Sequence, residues 1–403
     1  MKILSLLLAF AISSICGFAN AQWTQSYGAS TSVVNALVKS GTDLFAATGS
    51  SGVFRSPDNG ATWMPASIGL TDSVVWSLAV MGNDLYAGTN DSGVFRSTYS
   101  GTNWIRRSIG LPHLIVKSLA VIGTTLFAGT YLDGIFRSTD SGASWVKANT
   151  GLTNSFVEAL IVKDGSLFDG TSTGVFRSDD IGGHWLLPSG AQLVSDVHTL
   201  VVGNRYLFAG TRLSRVFRSS DQGENWVERD SGLSESGGIQ ALCGSGNAIF
   251  AGTGLGVFRS TDSGAHWTNV SSGFPDTTDA DALVVSNGDI IVGTFGTGIW
   301  SSPLAGLAVG QNRSLPNAMN IGRNYPNPFS DHTAIQFSLH SREHVTIKIL
   351  NMLGQEITTI ADGYYDPGLH EVKWYGGNST PGVYFCRIAS PGLSQTQAIV
   401  LEK

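Results

Sequence analysis

The feature that most restricts what this chain can fold into is a repeat. The stretch Gly134 to Trp145, reading Gly-Ile-Phe-Arg-Ser-Thr-Asp-Ser-Gly-Ala-Ser-Trp, returns with its tryptophan at Trp63, Trp104, Trp145, Trp185, Trp226 and Trp267, in steps of 41, 41, 40, 41 and 41 residues. A fixed period of about 40 to 50 residues marks a propeller or a solenoid, whose units bury their apolar faces only against one another.

Each period holds strand-length apolar runs separated by turn formers. Val116-Lys-Ser-Leu-Ala-Val, Thr125-Leu-Phe-Ala-Gly-Thr and Gly134-Ile-Phe-Arg-Ser predict three strands, and a fourth runs from Trp145 to Gly151-Leu152. Four strands per period make one propeller blade. Between the third and fourth lies Ser-x-Asp-x-Gly-x-x-Trp, as at Ser138, Asp140, Gly142 and Trp145. There a short carboxylate accepts turn hydrogen bonds, glycine takes positive φ, and the indole is buried beside the next blade.

This pattern resembles the Asp-box repeat of sialidases, sortilin-type receptors, xyloglucan-cleaving hydrolases and photosystem-assembly propellers. Five copies fit it, while the second carries Tyr99 in place of the aspartate. The resemblance covers residues 22–304 and implies the fold; the chemistry of such families lies outside the boxes.

Composition narrows the function. Charged residues make up 13% of the chain and the net charge is -6, which gives no basic face for nucleic acid. Met1-Lys2 followed by Ile3-Leu-Ser-Leu-Leu-Leu-Ala-Phe-Ala-Ile and Ala19-Asn-Ala21 reads as a secretory signal peptide over residues 1–21, cleaved before Gln22. That apolar run is too short to span a bilayer and no second one follows, so no transmembrane segment is expected. Cys243 and Cys386 remain in the mature chain, fall in different domains, and read as free buried thiols. No metal, calcium-ligand or cofactor pattern appears.

Taken in order, the mature chain opens with Gln22-Trp23-Thr-Gln, a fourth strand lacking its first three, and Trp23 stands 40 residues before Trp63. At the far end, strands beginning near Ala280, Asp289 and Gly298 have no box and no tryptophan after them. The N-terminal strand therefore completes a seventh blade over 22–304 and leaves no open sheet edge. Blades start near Val34, Val75, Val116, Val157, Val197, Ile239 and Ala280, and residues 305–320 read as a linker.

From residue 321 the spacing becomes that of a small Ig-like β-sandwich. Asn324-Tyr-Pro-Asn-Pro-Phe329, Val345-Thr-Ile-Lys-Ile-Leu-Asn-Met-Leu-Gly354, Gly368-Leu-His-Glu-Val-Lys-Trp374, Pro381-Gly-Val-Tyr-Phe385 and Ile399-Val-Leu-Glu-Lys403 follow in order. They resemble the C-terminal sorting domain of type IX secretion cargo. The resemblance implies that residues 321–403 engage the type IX machinery and that the protein is secreted, to the extracellular space or the outer-membrane surface.

No catalytic residue stands out. Phe54-Arg55-Ser56 resembles the arginine-bearing start of sialidases, yet Phe-Arg-Ser recurs at Arg96, Arg137, Arg177, Arg218 and Arg259, so it answers a need of the blade. Asp169 and Arg215 break the repeat; a functional role is one reading of either, and simple drift at a half-exposed position is the plainer one. A more informative column holds register while its chemistry varies. At the second position of the innermost strand stand Asn35, Trp76, Lys117, Glu158, His198, Gln240 and Asp281. Blade symmetry sets these on one ring near the channel mouth, with Tyr131, Arg212 and Phe295 on nearby loops. They form a candidate polar and aromatic ligand-binding face.

The expectation is an exported, non-enzymatic propeller that binds a polysaccharide or a protein. Two other readings are a carbohydrate-active enzyme of sialidase or xyloglucanase type and an assembly scaffold.

Overall fold

The computed structural model describes residues 23–28, 33–98, 100–189, 196–233, 236–274, 279–307, 320–321, 329–339, 342–351, 355–366, 368–377, 379–390 and 393–402. The signal-peptide segment, most of the linker, Tyr99 and the Asn324–Pro328 stretch lie outside these residues. The chain divides into two compact units, Met1–Ala308 and Val309–Lys403. No described helix is long and apolar enough to cross a membrane.

The first unit is a β-propeller of seven antiparallel sheets. In the third blade the strands run Val116–Ile122, Thr125–Thr130, Ile135–Ser138 and Val146–Lys147 from the channel outward. The inner strand alternates: in Val75–Met81 the residues Val75, Ser77 and Ala79 are buried and Trp76 and Leu78 are half-buried. The second strand is buried from its second residue onward in every blade, because its faces are covered by both neighbouring blades. That double cover is why it reads as an unbroken apolar run.

One apolar cluster lies between each adjacent pair of blades, and the seven clusters close the circle. Each box tryptophan sits in the cluster between its own blade and the preceding one. Trp104, Trp145, Trp185 and Trp267 donate their indole N–H to carbonyls of the preceding blade, Ala66, Arg107, Ala148 and Arg229, at 2.7–2.8 Å. Trp63 and Trp226 donate to Gly60 and Gly223 of their own turns at 3.1 Å. Both of these face a blade with an atypical fourth strand. Blade 7 takes its fourth strand, Thr24–Gln25, from the N-terminus, where Thr24 pairs with Ser301 and Gln25 with Trp300. Among the described residues blade 4 has three strands and, beyond them, a bridge between Arg177 and Leu186.

The turn chemistry is internal. Ser138 Oγ donates to Asp140 Oδ1 at 2.7 Å and accepts from Gly142 N at 2.9 Å, while Ser144 N and Oγ donate to Asp140 at 2.9 and 2.6 Å. These bonds, led by that from the Ser144 hydroxyl, hold the Asp140 carboxyl down to about 2. The repeated arginine serves the same architecture. Arg137, Arg177 and Arg218 donate to the carbonyls of Ile181, Gln222 and Ser263, the left-handed residues of the next blade's turn, at 3.2, 3.2 and 3.3 Å. Arg55 and Arg96 instead pair with Asp43 and Asp84 of their own blades at 2.6 Å.

The fourth strands are two residues long, shorter than the run from tryptophan to Gly-Leu predicts. After two ladder residues the chain leaves its own blade to meet the next one. Trp185 N donates to Thr150 O at 2.8 Å, and the following Gly151 has φ +85 with a Cβ position 2.2 Å from the Trp185 carbonyl oxygen. Only glycine fits there. Gly151→Ala is expected to destabilise the propeller by roughly 1–3 kcal/mol through forced backbone strain. Urea unfolding followed by a probe confined to the propeller measures it, and an unchanged midpoint would contradict the assignment.

The second unit is two sheets around one core. Asn320–Ile321, His332–Leu339 and Gly368–Tyr375 form one; Glu356–Tyr365, Glu343–Leu350, Gly382–Ser390 and Leu393–Leu401 form the other, in those orders. Ile335, Phe337 and Trp374 from the first sheet pack with Val345, Ile347, Ile349, Cys386 and Ile388 from the second. Phe329, which ends the Tyr-Pro-Asn-Pro-Phe stretch, is buried in this core with its ring 5.3 Å from that of Trp374. Both described cysteines are free, and burial pushes the thiols of Cys243 and Cys386 up to about 11 and 12.

Candidate functional site

All seven residues of the variable column line a single cavity of about 510 Å³, together with Arg212. A local device aims them. In six blades the ladder between the first and second strands slips at this position: between Val34 and Ala36, Val75 and Ser77, Val116 and Ser118, Val197 and Thr199, Ile239 and Ala241, and Ala280 and Ala282. The residue in the slip is Asn35, Trp76, Lys117, His198, Gln240 or Asp281. A bulge leaves one residue out of the ladder and redirects its side chain. In blade 4 the strand starts at Ala159, and Glu158 stands just before it, its N–H bonded to Gly170 O at 3.1 Å.

Two residues further along stand Leu37, Leu78, Leu119, Leu160, Leu200, Leu242 and Leu283. All but Leu242 line the same cavity, and Leu242 packs between blades 5 and 6. The cavity is therefore a variable polar ring above a constant leucine layer, one strand repeat of about 6.6 Å apart. The sequence reading passed over the leucines, although a fixed column two residues from a variable one was their signal.

The ring has internal structure. Arg212 Nη2 donates to Glu158 Oε2 at 3.3 Å, and Arg212 Nε lies 3.0 Å from Asp196 Oδ2. His198 Nδ1 stands 3.5 Å from Glu158 Oε2, an ion-pair distance rather than a formed hydrogen bond. The His198 imidazole, opposed by burial and aided by the charges of Arg212 and Lys117, holds the Glu158 carboxyl below the usual range. Lys117 Nζ lies 3.1 Å from the Trp76 ring centroid, and Trp76 Nε1 donates to Asn90 Oδ1 at 3.1 Å. Burial pushes the Lys117 ammonium down, with Glu158 opposing and Arg212 adding to the shift. Opposite, Asp281 has no ion pair among the described residues, and burial, reinforced by Asp279, pushes its carboxyl up to about 7. Asn35 Nδ2 donates to Val75 O of the next blade at 2.8 Å.

Of the three loop residues grouped with the ring, only Arg212 lines the cavity. Tyr131 stands edge-on to Phe156 at 5.3 Å and 6.0 Å from Lys117 Nζ, and Phe295 is exposed at a loop tip. Arg215 pairs with Glu228 at 2.8 Å on the surface. Asp169 corrects the half-exposed expectation: it is 0% exposed, within the second strand of blade 4, and neither carboxylate oxygen has a hydrogen-bond partner.

Comparison with known proteins agrees with this architecture. Residues 323–402 match the family model described as a secretion system C-terminal sorting domain. No curated protein matches the chain in sequence. Among solved structures, YCF48 bound to a D1 peptide aligns with TM-score 0.56 at 16% identity, over 70% of this chain and 96% of that one. YCF48 from Cyanidioschyzon merolae aligns with TM-score 0.55 at 14% identity, over 70% and 98%. The GH74 xyloglucanase from Xanthomonas campestris aligns with TM-score 0.58 at 18% identity, over 79% of this chain and 59% of that one. At these identities the likeness carries the fold alone. The chain is a β-propeller followed by a type IX secretion C-terminal sorting domain, and that domain marks it for export to the cell surface or the extracellular space.

Proposed function

We propose that this exported propeller binds a polysaccharide, without cleaving it, in the cavity ringed by Asn35, Trp76, Lys117, Glu158, His198, Gln240 and Asp281. One observation carries the reading: six successive bulges direct chemically different side chains into one concavity over a constant apolar layer. A fold needs the bulge and the leucines; it does not need the variety. An indole beside short amide and carboxyl groups suits a sugar, which offers an apolar ring face and hydroxyl edges.

A hydrolase is the second reading, favoured by the opposite shifts of Glu158 and Asp281, since an acid–base pair requires pKa values pushed apart. Two features weigh against it. Glu158 is engaged by Arg212 and His198, so it is not free to attack or to activate water. The two carboxyls also belong to blades three steps apart in a ring of seven, so they stand across the cavity rather than side by side.

A glycan array of the full chain beside a variant with Trp76, Glu158 and Asp281 all changed to Ala tests the proposal. The expected outcome is binding that is lost in a variant with an unchanged unfolding midpoint. No glycan signal from either protein would overturn it and direct attention to a protein partner.

A further inference from the structure

The ring is chemically uneven, and the unevenness narrows the class of glycan. Blades 6, 7 and 1 contribute Gln240, Asp281 and Asn35, short side chains able to bond hydroxyl groups. Blades 4 and 5 contribute Glu158 and His198, and the Glu158 charge is masked by Arg212, which Asp196 in turn engages. Lys117 of blade 3 is different. Among the described residues its ammonium has no hydrogen bond and no salt bridge; it rests on the Trp76 ring, with the Tyr131 ring more distant. Trp76 is itself fixed by its bond to Asn90.

Resting on the polysaccharide reading above, we infer that the cavity selects a uronic-acid polysaccharide, whose carboxylate pairs with Lys117 while a pyranose face stacks on Trp76 and its hydroxyls bond to Asn35, Gln240 and Asp281. A half-buried ammonium with no hydrogen bond or salt bridge among the described residues gains from an arriving carboxylate, because charge-assisted hydrogen bonds are about twice as strong as neutral ones. When Lys117 turns to the carboxylate it uncovers the indole, so the two contacts form together. Arg212 offsets part of the negative charge that Glu158 and Asp196 set beside the ring, and the raised Asp281 carboxyl, near 7, carries only part of its charge at pH 7. A neutral glycan meets the same ring without a use for Lys117, which would stay on the indole and compete with stacking.

The test titrates the full chain, by calorimetry at pH 7, with oligomers of galacturonate, mannuronate and glucuronate and with their methyl esters of equal length. At least one acid form is expected to bind about tenfold or more tightly than its ester, a difference near 1.4 kcal/mol. Lys117→Gln should abolish that preference, Lys117→Arg should retain it, and Trp76→Ala should weaken both forms. Equal affinity for acid and ester, no binding of any acid form, or a preference that survives Lys117→Gln would overturn the inference. Binding of a neutral glucan but of no uronate would overturn this inference alone, while failure to bind any glycan would overturn the polysaccharide reading as well.

Discussion

Trp23→Ala is expected to lower propeller stability by about 3–5 kcal/mol, the usual cost of truncating a buried aromatic residue. Trp23 is buried between blades 6 and 7, its ring 4.9 Å from Phe274 and its indole N–H bonded to Val270 O at 2.9 Å. It also anchors the segment that joins the ends of the ring. Ser26 N donates to Ile299 O of blade 7 at 2.8 Å, and Trp63 N of blade 1 donates to Tyr27 O at 2.8 Å. Loss of the anchor therefore exposes the outer edge of blade 7, a surface prone to strand pairing with other chains. The check is urea unfolding followed by a probe confined to the propeller, since the sorting domain is a separate unit and the whole chain is not two-state. A loss below about 1 kcal/mol, against the 3–5 expected of a buried anchor, would contradict this role.

Asp169→Ala should act in the opposite direction and stabilise. At this register the other blades carry Ala46, Ala87, Ala128, Ala209, Ala251 and Val292, apolar residues packed between blades. Asp169 occupies the same place between its ladder neighbours Leu160 and Phe176, fully buried, and desolvation raises its carboxyl well above the ordinary value. A buried polar group with no partner costs about 1–3 kcal/mol. Because the folded-state pKa is raised, the folded protein retains a proton that the unfolded chain loses as pH rises past about 4, and stability falls with pH at up to about 1.4 kcal/mol per unit. The variant should thus be more stable than the native chain at pH 8, with the gain shrinking towards pH 4. A gain independent of pH, or a loss at pH 8, would contradict the account.

The repeat made the propeller legible because one physical demand, the burial of a blade between two others, recurs at every period. The same redundancy exposed the ring: Glu158 and Lys117 stand out only because the chemistry of their column varies while the Val116 column stays apolar and the Leu119 column stays leucine. What the sequence concealed were events without a residue signature. The slips at Trp76 and its equivalents are backbone features, set by how the inner strand meets the second, and no residue type marks them. Asp169 looked tolerable on a half-exposed surface, and only the packing of both faces of the second strand makes it costly. The missing fourth strand of blade 4 was hidden by a normal box at Ser178–Trp185. The own-turn bond of Trp226 to the Gly223 carbonyl likewise shows only in the bonding. Tyr131 and Phe295 were drawn in by loop position, yet they do not line the cavity.

The central claim is that a polysaccharide is held, and not cut, at the channel mouth. The most direct measurement titrates the best-binding glycan into the full chain and into Trp76→Ala by calorimetry, then analyses the recovered glycan for new reducing ends. The account predicts saturable binding that Trp76→Ala weakens at least about tenfold, roughly 1.4 kcal/mol, and a glycan recovered at its original length. Binding indifferent to Trp76, or shortened products that disappear in Glu158→Gln, would contradict it.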